Sequence, residues 1–445
     1  MAVEDLRADM TADERRAARI DAWRNPAVEF ASPEAEAAYK ARVDRLVAAL
    51  NMEIPDRVPV NISSGFWFAS RAGLTPYEAM SDPARAVRAW TDFNLEFQPD
   101  TMSDLLAYSI PGSVFEKLDY RLFSWPGHGC PRESGYQYNE REWMPPEDYD
   151  ALIADPTDFF LRSHLPRIVG AFAGFGRLSS FFDFIELPFV SGHVGGWASP
   201  EMLTGLERLA AAAEEVKAWA ETVFPAMERM KSLGFAPYRS RTTLAPFDII
   251  GDTMRGTKGV ILDMFRRPEK LIEACERLVP IAIDMVRKRP GLAATPVVFM
   301  PLHKGADGFM SDEQFKTFYW PTLRQVILGL IDDGRIPLLF AEGRYGSRLE
   351  TVMDLPKGKT VWLFDQTDMA RAKQTVGTVA CIQGNVPLSL LHAGTPSDVS
   401  DYVRRLIDVA GAGGGFILDM GASGDSGRDE NLRAMVKTTK EYGVY

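Results

Sequence analysis

The chain has 445 residues, 46% hydrophobic and 25% charged, enough for one large α/β barrel with insertions or for two or three ordinary domains. Its formal net charge of −11 argues against nucleic acid as a partner, although a few local arginines could still bind an anionic substrate. The acidic start does not look like a secretory signal, and every apolar run is shorter than the roughly 18 residues that span a bilayer. The three cysteines are far apart, so we expect reduced thiols and a cytoplasmic protein.

An N-terminal helical extension is predicted for residues 1–50, which are rich in Ala, Glu and Arg. Ser32 and Pro33 are the residue types of an N-cap and a first helical residue, and they predict a helix through Leu50. From residue 51 onward, apolar runs alternate with amphipathic helices. Eight of these runs predict β-strands: Arg57–Ile62, Pro99–Leu105, Thr243–Ile250, Pro296–Pro301, Ile336–Ala341, Thr360–Phe364, Thr378–Gln383 and Gly415–Met420.

The helices between these strands have recognisable starts. Residues 311–314 form a capping box, after which apolar residues recur at helical spacing. Thr395 and Pro396 begin another helix, predicted through Val409. Strands that alternate with helices predict a parallel sheet, and eight such units favour a closed (β/α)8 (TIM) barrel over residues 51–445.

A long insertion follows the second predicted strand, over residues 106–241. Its front part, Val114–Trp143, is aromatic and rich in turn residues, which predicts a β-hairpin or small meander. Its rear part, Pro200–Leu233, predicts a long helical region. An insertion after a barrel strand lies on the catalytic face, so we expect it to act as a lid or as a dimer arm.

The carboxyl ends of parallel strands meet at one rim of a barrel, where active sites form. Glu342 is the most informative residue there, because a carboxylate directly after a buried strand is costly unless it is paired, bound to a metal or used. It could also form an ordinary ion pair with Arg344 or Arg348, and other polar residues at strand ends could cap helices or form turns. The candidates for one shared rim are Asp104, Asp248, His303 with Lys304, Glu342, Asp365, Asn385 and Asp419.

The histidines divide into three kinds. His303 lies beside a lysine, which favours its neutral form and suits a metal ligand or a general base, although a loop histidine bonded to backbone would also fit. His128 and His193 lie in Gly-flanked loops of the insertion and could close over the site. His164 and His392 resemble surface or helix-flanking residues. The sequence contains no GxxxxGKS/T, HExxH or GxSxG motif.

Eight segments follow one another along the chain: DRVPV, PDTMSDLL, LAPFDIIGDTMRG, FMPLHKGADGFMSDEQFKTFYWP, PLLFAEG, IQGNVP, GFILDMGAS and NLRAMVKTTKEYG. In this order they resemble the uroporphyrinogen decarboxylase superfamily, which includes the decarboxylase and corrinoid-dependent methyltransferases. The resemblance covers roughly residues 50 to 445 apart from the insertion. It implies a (β/α)8 barrel, often dimeric in the decarboxylase branch, with its site at the carboxyl end.

The resemblance to the decarboxylase is partial. Asp104, in SDLL, falls on that enzyme's catalytic aspartate. The decarboxylase also carries an arginine-rich segment for the many carboxylates of its substrate, whereas this chain has NISSGFWFASRAG there, with only Arg71. Phe66, Trp67 and Phe68 of this segment predict a partly apolar or aromatic substrate, because rings supply stacking area but cannot pair with carboxylates.

The methyltransferase branch binds zinc through a His-x-Cys pair and a later Cys. The resemblance places Phe340, Glu342 and Ala422 at those positions, so soft thiolate ligation is absent there. A divalent metal such as zinc could still be held by Glu342 with His303 or Asp365.

We therefore expect a methyltransferase (demethylase) that moves a methyl group from a small, partly apolar or aromatic substrate to a corrinoid on a partner protein. Glu342 would bind a metal or protonate the departing oxygen, Tyr345 and Arg348 would orient it, and other residues would line the pocket. A decarboxylase or lyase using Asp104 is the alternative enzyme, and a non-catalytic small-molecule-binding barrel is the alternative outside catalysis. We also expect a homodimer and no membrane partner. The expected pocket residues are His303, Asp365, Asp248, Asn385, Asp419, Phe66, Trp67 and Phe68.

Overall fold

The computed structural model describes residues 9–288 and 295–445, so residues 1–8 of the predicted extension lie outside the described part. A small three-stranded sheet lies in the insertion, and a six-stranded parallel sheet forms most of a barrel. In chain order the strands are β1 (Phe123–Pro126), β2 (Gly129–Cys130), β3 (Gln137–Tyr138), β4 (Arg241–Thr242), β5 (Val297–Leu302), β6 (Ile336–Ala341), β7 (Val361–Phe364), β8 (Cys381–Val386) and β9 (Phe416–Met420).

The first two predicted strands close the barrel between β9 and β4. Val60 forms a parallel bridge with Leu418 of β9. The Asp100 N–H donates to the Val60 carbonyl at 2.9 Å, and the Met102 N–H donates to the carbonyl of Ala236, just before β4, at 2.8 Å. Eight extended segments therefore form one ring, and the predicted (β/α)8 barrel is confirmed.

The third predicted strand, Thr243–Ile250, is wrong. The strand there is the short β4, and a helix, Pro246–Thr253, takes most of the predicted range. The apolar run LAPFDII reads equally well as a buried strand or a helix buried on every side. Pro246 at the first helical position decides for the helix, because its fixed φ suits that position and its missing N–H costs nothing there.

Two further strand predictions need smaller corrections. β8 begins at Cys381 rather than Thr378, because Val376–Thr378 forms a 3-10 turn. Pro99–Leu105 contributes ladder hydrogen bonds but no continuous strand, and a short helix, Leu106–Ser109, follows at once.

The helices start largely where the capping residues predict, with Ser32, Ser311 and Thr395 each accepting a backbone N–H. The longer helices are Ala12–Arg24, Pro33–Leu50, Pro83–Phe97, Leu187–Gly196, Pro200–Ser232, Pro246–Thr253, Gly256–Arg266, Pro268–Arg287, Trp320–Asp332, Pro396–Leu406 and Asp429–Tyr442. The shorter ones are Trp67–Arg71, Pro76–Ser81, Leu106–Ser109, Gly112–Leu118, Tyr149–Ala154, Pro156–Asp158, Leu165–Ile168, Asp312–Gln314, Leu349–Val352, Met369–Gln374 and Leu388–Ala393.

The first two helices fill the amino end of the barrel. Trp23 and Tyr39 are buried in one apolar cluster with Ile336 and Leu338 of β6 and with Val361 of β7. The Tyr39 hydroxyl donates to the Trp23 carbonyl at 2.9 Å, which ties the two helices together. Packed side chains therefore close the barrel interior at its amino end.

The insertion carries the small sheet and a run of exposed apolar side chains. β1 pairs with β3 antiparallel and with β2 parallel. Beyond this sheet, Phe182, Ile185 and Leu187 are 75%, 74% and 88% exposed, far more than core residues of their size. Within residues 9–288 and 295–445, no helix combines the length and apolar character that crossing a bilayer requires.

Candidate active site at the carboxyl end of the barrel

Asp248 is the buried centre of the site. It lies in the first turn of helix Pro246–Thr253, and its carboxylate accepts the backbone N–H groups of His303 and Lys304, each at 3.1 Å. The Tyr319 hydroxyl donates to the same carboxylate at 2.7 Å. Burial, with a further contribution from the negative charge of Asp252, raises the pKa of Asp248 to about 7. Asp248 thus fixes the end of β5, and its carboxyl is partly protonated near neutral pH.

Asp252, one helical turn after Asp248, orients His303. One Asp252 oxygen lies 2.6 Å from His303 Nδ1, and the other lies 3.1 Å from Lys304 Nζ. A carboxylate on Nδ1 fixes the imidazole ring and favours its protonated form. Asp252 is therefore the positioning residue that aims the other ring nitrogen.

That other nitrogen, His303 Nε2, faces Glu342 Oε1 at 3.7 Å. Burial alone would lower the pKa of His303, but the Asp252 hydrogen bond and the charges of Asp248, Asp252 and Glu342 outweigh it and raise the pKa to about 9. Burial raises the pKa of Glu342, which the His303 charge partly offsets. The two side chains are 36% and 42% exposed, so a ligand can reach both. The pair can hold and move a proton at the barrel mouth.

Tyr345 and Arg348, predicted to orient Glu342, instead hold the loops beneath it. The Tyr345 hydroxyl donates to the Leu302 carbonyl at 3.2 Å. The buried Arg348 guanidinium donates to the Gly305 carbonyl at 3.2 Å and forms an ion pair with Asp312. Both side chains tie the loop after β5 to the loop after β6.

Asp365 and Asn385 are also occupied by neighbouring backbone. The Asp365 carboxylate accepts the Gly343 N–H at 3.0 Å. After burial and the charge of Asp252, the charge of Asp365 also helps to raise the pKa of Glu342. Asn385 Nδ2 donates to the carbonyls of Asp365 and Thr367 at 3.0 and 2.8 Å. Asp365 thus acts on Glu342 through its charge, and Asn385 holds the Asp365 loop.

Asp419 lies within β9 rather than at its end, and it is fully buried. It accepts hydrogen bonds from Asn61 Nδ2 at 2.6 Å, the Ser63 hydroxyl at 2.8 Å and Gln383 Nε2 at 2.8 Å. Burial raises the pKa of Asp419 despite these donors. The Asp419 carboxylate therefore braces the barrel interior beneath the mouth. Its oxygens already accept hydrogen bonds from these donors.

Asp104 and Arg239 form a second charged pair at the mouth. Asp104 is 48% exposed along its side chain and lies 3.1 Å from Arg239 Nη1. The Arg239 guanidinium lies 4.0 Å from the centre of the Phe299 ring, and Phe299 stacks with Phe340 at 6.1 Å between ring centres. Phe340 therefore contributes an aromatic floor where the methyltransferase branch has a zinc ligand.

Of the three aromatic residues in the first loop, Phe66 belongs to the aromatic group near the mouth. Its ring centre lies 4.9 Å from that of Tyr108 and 6.1 Å from that of Tyr136. All three side chains are 1% exposed, and Trp67 Nε1 donates to Asp429 at 3.2 Å. Phe66 is the one of the three whose ring contacts Tyr108 and Tyr136 in the described structure.

The short strand β3 brings the insertion close to both charged pairs. Burial raises the pKa of Tyr136 and Tyr138, and the negative charge of Asp104 contributes at Tyr136 and that of Asp252 at Tyr138. The Tyr138 hydroxyl is buried and has no hydrogen-bond partner among the described residues. The sequence reasoning missed both tyrosines, because their approach to the barrel is not visible locally.

The remaining histidines lie away from these contacts. His128 stacks on Trp125 at 4.2 Å between ring centres. His193 lies in helix Leu187–Gly196 rather than in a loop, packed against Phe184. His164 is not a surface residue: it is fully buried, and burial lowers its pKa to about 4.

The residues present do not fit the zinc site of the methyltransferase branch. Phe340 and Ala422 carry no donor atom, and Cys275 and Cys381 are buried in apolar clusters. In the described part of the chain, no three His, Cys, Asp or Glu side chains form a group that could hold a metal ion. The expected set of Glu342, His303 and Asp365 gains no support from this geometry.

Comparisons with known proteins agree with the barrel fold. The family model for uroporphyrinogen decarboxylase matches residues 202–442. The uroporphyrinogen decarboxylase of Saccharophagus degradans is 26% identical over 218 residues, covering 48% of this chain and 59% of that protein. The one from Pseudomonas syringae pv. syringae is 29% identical over 196 residues, covering 43% of this chain and 53% of that protein. This chain thus spans little more than half the length of these relatives.

A solved structure matches over a longer stretch. It is a methyltransferase from Methanosarcina mazei, with a TM-score of 0.58 and 14% identity, covering 91% of this chain and 98% of that one. At this identity the likeness establishes the fold alone. The family model for uroporphyrinogen decarboxylase spans more than half of the residues of this chain, so the chain belongs to the uroporphyrinogen decarboxylase family.

Proposed function

We propose that the chain is a methyltransferase that removes a methyl group from a small, aromatic O-methyl donor. The observation that carries this proposal is the Glu342–His303 pair, aimed by Asp252 and open at the barrel mouth. An acid with a raised pKa beside a protonated histidine is suited to protonate a departing oxygen. The aromatic floor and wall of the mouth suit a ring-bearing substrate.

In the proposed reaction the C–O bond of the donor breaks as the methyl carbon bonds to the lone pair of an acceptor. The oxygen keeps the bonding electrons and takes a proton from Glu342, and His303 Nε2, 3.7 Å away, returns a proton to the carboxylate. Asp252 stabilises the protonated form of His303 throughout. The Phe66 wall and β3, acting as a lid, keep water from the reacting oxygen.

The acceptor we propose is a corrinoid carried by a partner protein, as the superfamily resemblance implies. The structural likeness to a methyltransferase is consistent with this choice but extends only to the fold. Genes for a corrinoid protein and its reactivating enzyme beside this gene would support the proposal, whereas haem-synthesis genes there would favour decarboxylation.

The test is methyl transfer from a panel of methoxylated benzenes and benzoates to free cob(I)alamin, followed by the absorbance of methylcobalamin. General acid catalysis contributes about 100- to 10,000-fold, so Glu342→Gln should lower kcat by at least about 100-fold. Glu350→Gln is the matched control, because Glu350 is exposed and pairs with Arg371. An unchanged rate in Glu342→Gln would refute the acid role, and no transfer from any donor would refute the reaction.

A lyase of the decarboxylase type is the second candidate, favoured by the half-exposed Asp104 beside Arg239 at the mouth. The ring carbon that bears the carboxylate would take a proton, and Asp104 would stabilise the positive charge on this intermediate. The C–C bond would then break, so that carbon dioxide leaves and the bonding electrons return to the ring. This reading expects CO2 release from an aromatic carboxylate, its loss in Asp104→Asn, and no metal in elemental analysis of the active protein. Methyl transfer that survives Asp104→Asn would exclude it.

A further inference from the structure

A largely apolar cavity of about 230 Å³ lies between the insertion and the first barrel loops. We propose that it is the subsite for one uncharged ring of the substrate, which extends the proposed function by naming a substrate class. Its lining residues come from three separate segments, namely Met80, then Ala107, Ile110, Phe115, Tyr120, Phe123 and Trp125, and finally Tyr136.

The lining fixes the chemistry of the occupant. None of the lining side chains is charged, and burial raises the pKa of both Tyr120 and Tyr136, so they stay neutral. A charged group in such a cavity would lose its hydration without gaining a counter-charge. Aromatic rings such as Phe115 and Trp125, tilted by 50° to each other with centres 5.4 Å apart, instead offer apolar aromatic surfaces.

The volume fixes the size of the occupant. An apolar cavity of about 150 Å³ accommodates benzene, so about 230 Å³ accommodates one ring with one or two small substituents. A tetrapyrrole macrocycle would not fit. The occupant that we propose is a single substituted ring.

Tyr136 connects this cavity to the candidate active site. It lines the cavity, and its ring centre lies 6.1 Å from those of Phe66 and Tyr108 in the aromatic wall of the mouth. On the cavity side it contacts Phe123, also at 6.1 Å. A ring bound in the cavity thus lies against Tyr136, the residue that faces the mouth. The substituent on the bound ring is the part that distinguishes one donor from another.

The experiment measures binding without turnover. Toluene and anisole are titrated into the full chain by calorimetry, with no acceptor present. Ala107→Phe narrows the cavity from its rim, where Ala107 is exposed, so the substitution leaves the core intact. Ala37→Phe, on the exposed face of helix Pro33–Leu50, is the matched control.

We expect both probes to bind the wild-type chain and Ala37→Phe alike, and Ala107→Phe to bind them at least tenfold more weakly with an unchanged melting temperature. Equal binding by Ala107→Phe and the wild type would overturn the subsite, as would the absence of binding to the wild type at millimolar probe. Because toluene carries no O-methyl group, these outcomes are independent of methyl transfer. A failure of the proposed function would appear only in the cob(I)alamin assay.

Discussion

The two ends of the barrel each bury an aspartate, but they neutralise it differently. At the amino end, Asp100 pairs with Arg45 at 2.7 Å and Arg57 at 2.8 Å, and it accepts the Val60 N–H. Although burial opposes ionisation, the two arginines and the N–H hold the pKa of Asp100 below its ordinary value. At the carboxyl end, Asp248 has no arginine partner in the described structure, and burial raises its pKa to about 7.

This difference separates structural from functional charge. An aspartate enclosed by two arginines stays ionised and locks the strands it joins. The acids at the mouth are paired with His303 and Lys304 rather than with arginines, so their protonation can change near neutral pH. Proton transfer requires such a change. Substitutions at the two ends of the barrel test this comparison.

The largest effect is expected from Asp100→Asn. Removing one member of a buried ion pair leaves uncompensated charge, so the free energy of unfolding should fall by about 3–5 kcal/mol. Asp248→Asn, the same substitution at the other end, should cost less, about 1–3 kcal/mol, because the amide keeps one acceptor oxygen but turns its NH2 group toward a backbone N–H that the carboxylate had satisfied. Urea unfolding at pH 7 measures both, and equal losses would contradict the comparison.

Asp252→Asn should affect proton transfer more than folding. Loss of the carboxylate removes the hydrogen bond and charge that raise the pKa of His303 to about 9, so that pKa should fall toward its ordinary 6.5. The alkaline limb of kcat against pH should move to lower pH, with a rate loss of about 10- to 100-fold at pH 8. NMR titration of His303 supplies the independent readout, and an unshifted titration would show that Asp252 does not position this ring.

Stability against pH should separate the two ends. The raised pKa of Asp248 means that the folded state binds the extra proton, so stability falls as pH rises from about 4 to about 7, by at most about 1.4 kcal/mol per pH unit. The lowered pKa of Asp100 has the opposite sign, and its contribution is lost as pH falls below about 4. In Asp248→Asn, the free energy of unfolding measured from pH 3 to 7 should no longer fall above pH 4. A fall that persists in this variant would show that another group causes it.

The smallest effect on rate is expected at the insertion, where the predicted homodimer can be tested. The exposed apolar residues from Phe181 to Leu206 present roughly 900 Å², at about 200 Å² for a fully exposed aromatic side chain. A standard interface buries about 800 Å² per partner. The double substitution Ile185→Lys with Leu187→Lys should give monomers by light scattering, with activity per site unchanged. The control Leu95→Lys, which also replaces an exposed apolar residue, should leave the dimer intact.

The sequence predicts the barrel and the Glu342–His303 rim because β5 and β6 are apolar throughout and end abruptly at polar residues. It misses Asp252, since reading Thr243–Ile250 as a strand hides the helical spacing that puts Asp248 and Asp252 on one face. Closeness in sequence is also a poor guide to contact. Arg348 follows Glu342 closely along the chain, but its guanidinium donates to the Gly305 carbonyl.

Contacts that form only through tertiary structure could not be predicted. Phe66 was predicted as a pocket residue, but Tyr108 and Tyr136 were not, because their contact with it depends on how the insertion folds over the barrel. The same holds for Arg239. It lies just before the two-residue strand β4, and its guanidinium lies over the ring of Phe299 on β5.

The filled amino end of the barrel has a kinetic consequence. Because Trp23, Tyr39 and their neighbours pack the interior from the amino end, the carboxyl-end mouth is the open end of the barrel in the described structure. If the protein transfers a methyl group, the donor and the acceptor share this entrance, with the donor entering first and the acceptor covering it. Under the proposed function, initial rates should follow a compulsory-order pattern, and excess acceptor should inhibit by blocking the entrance.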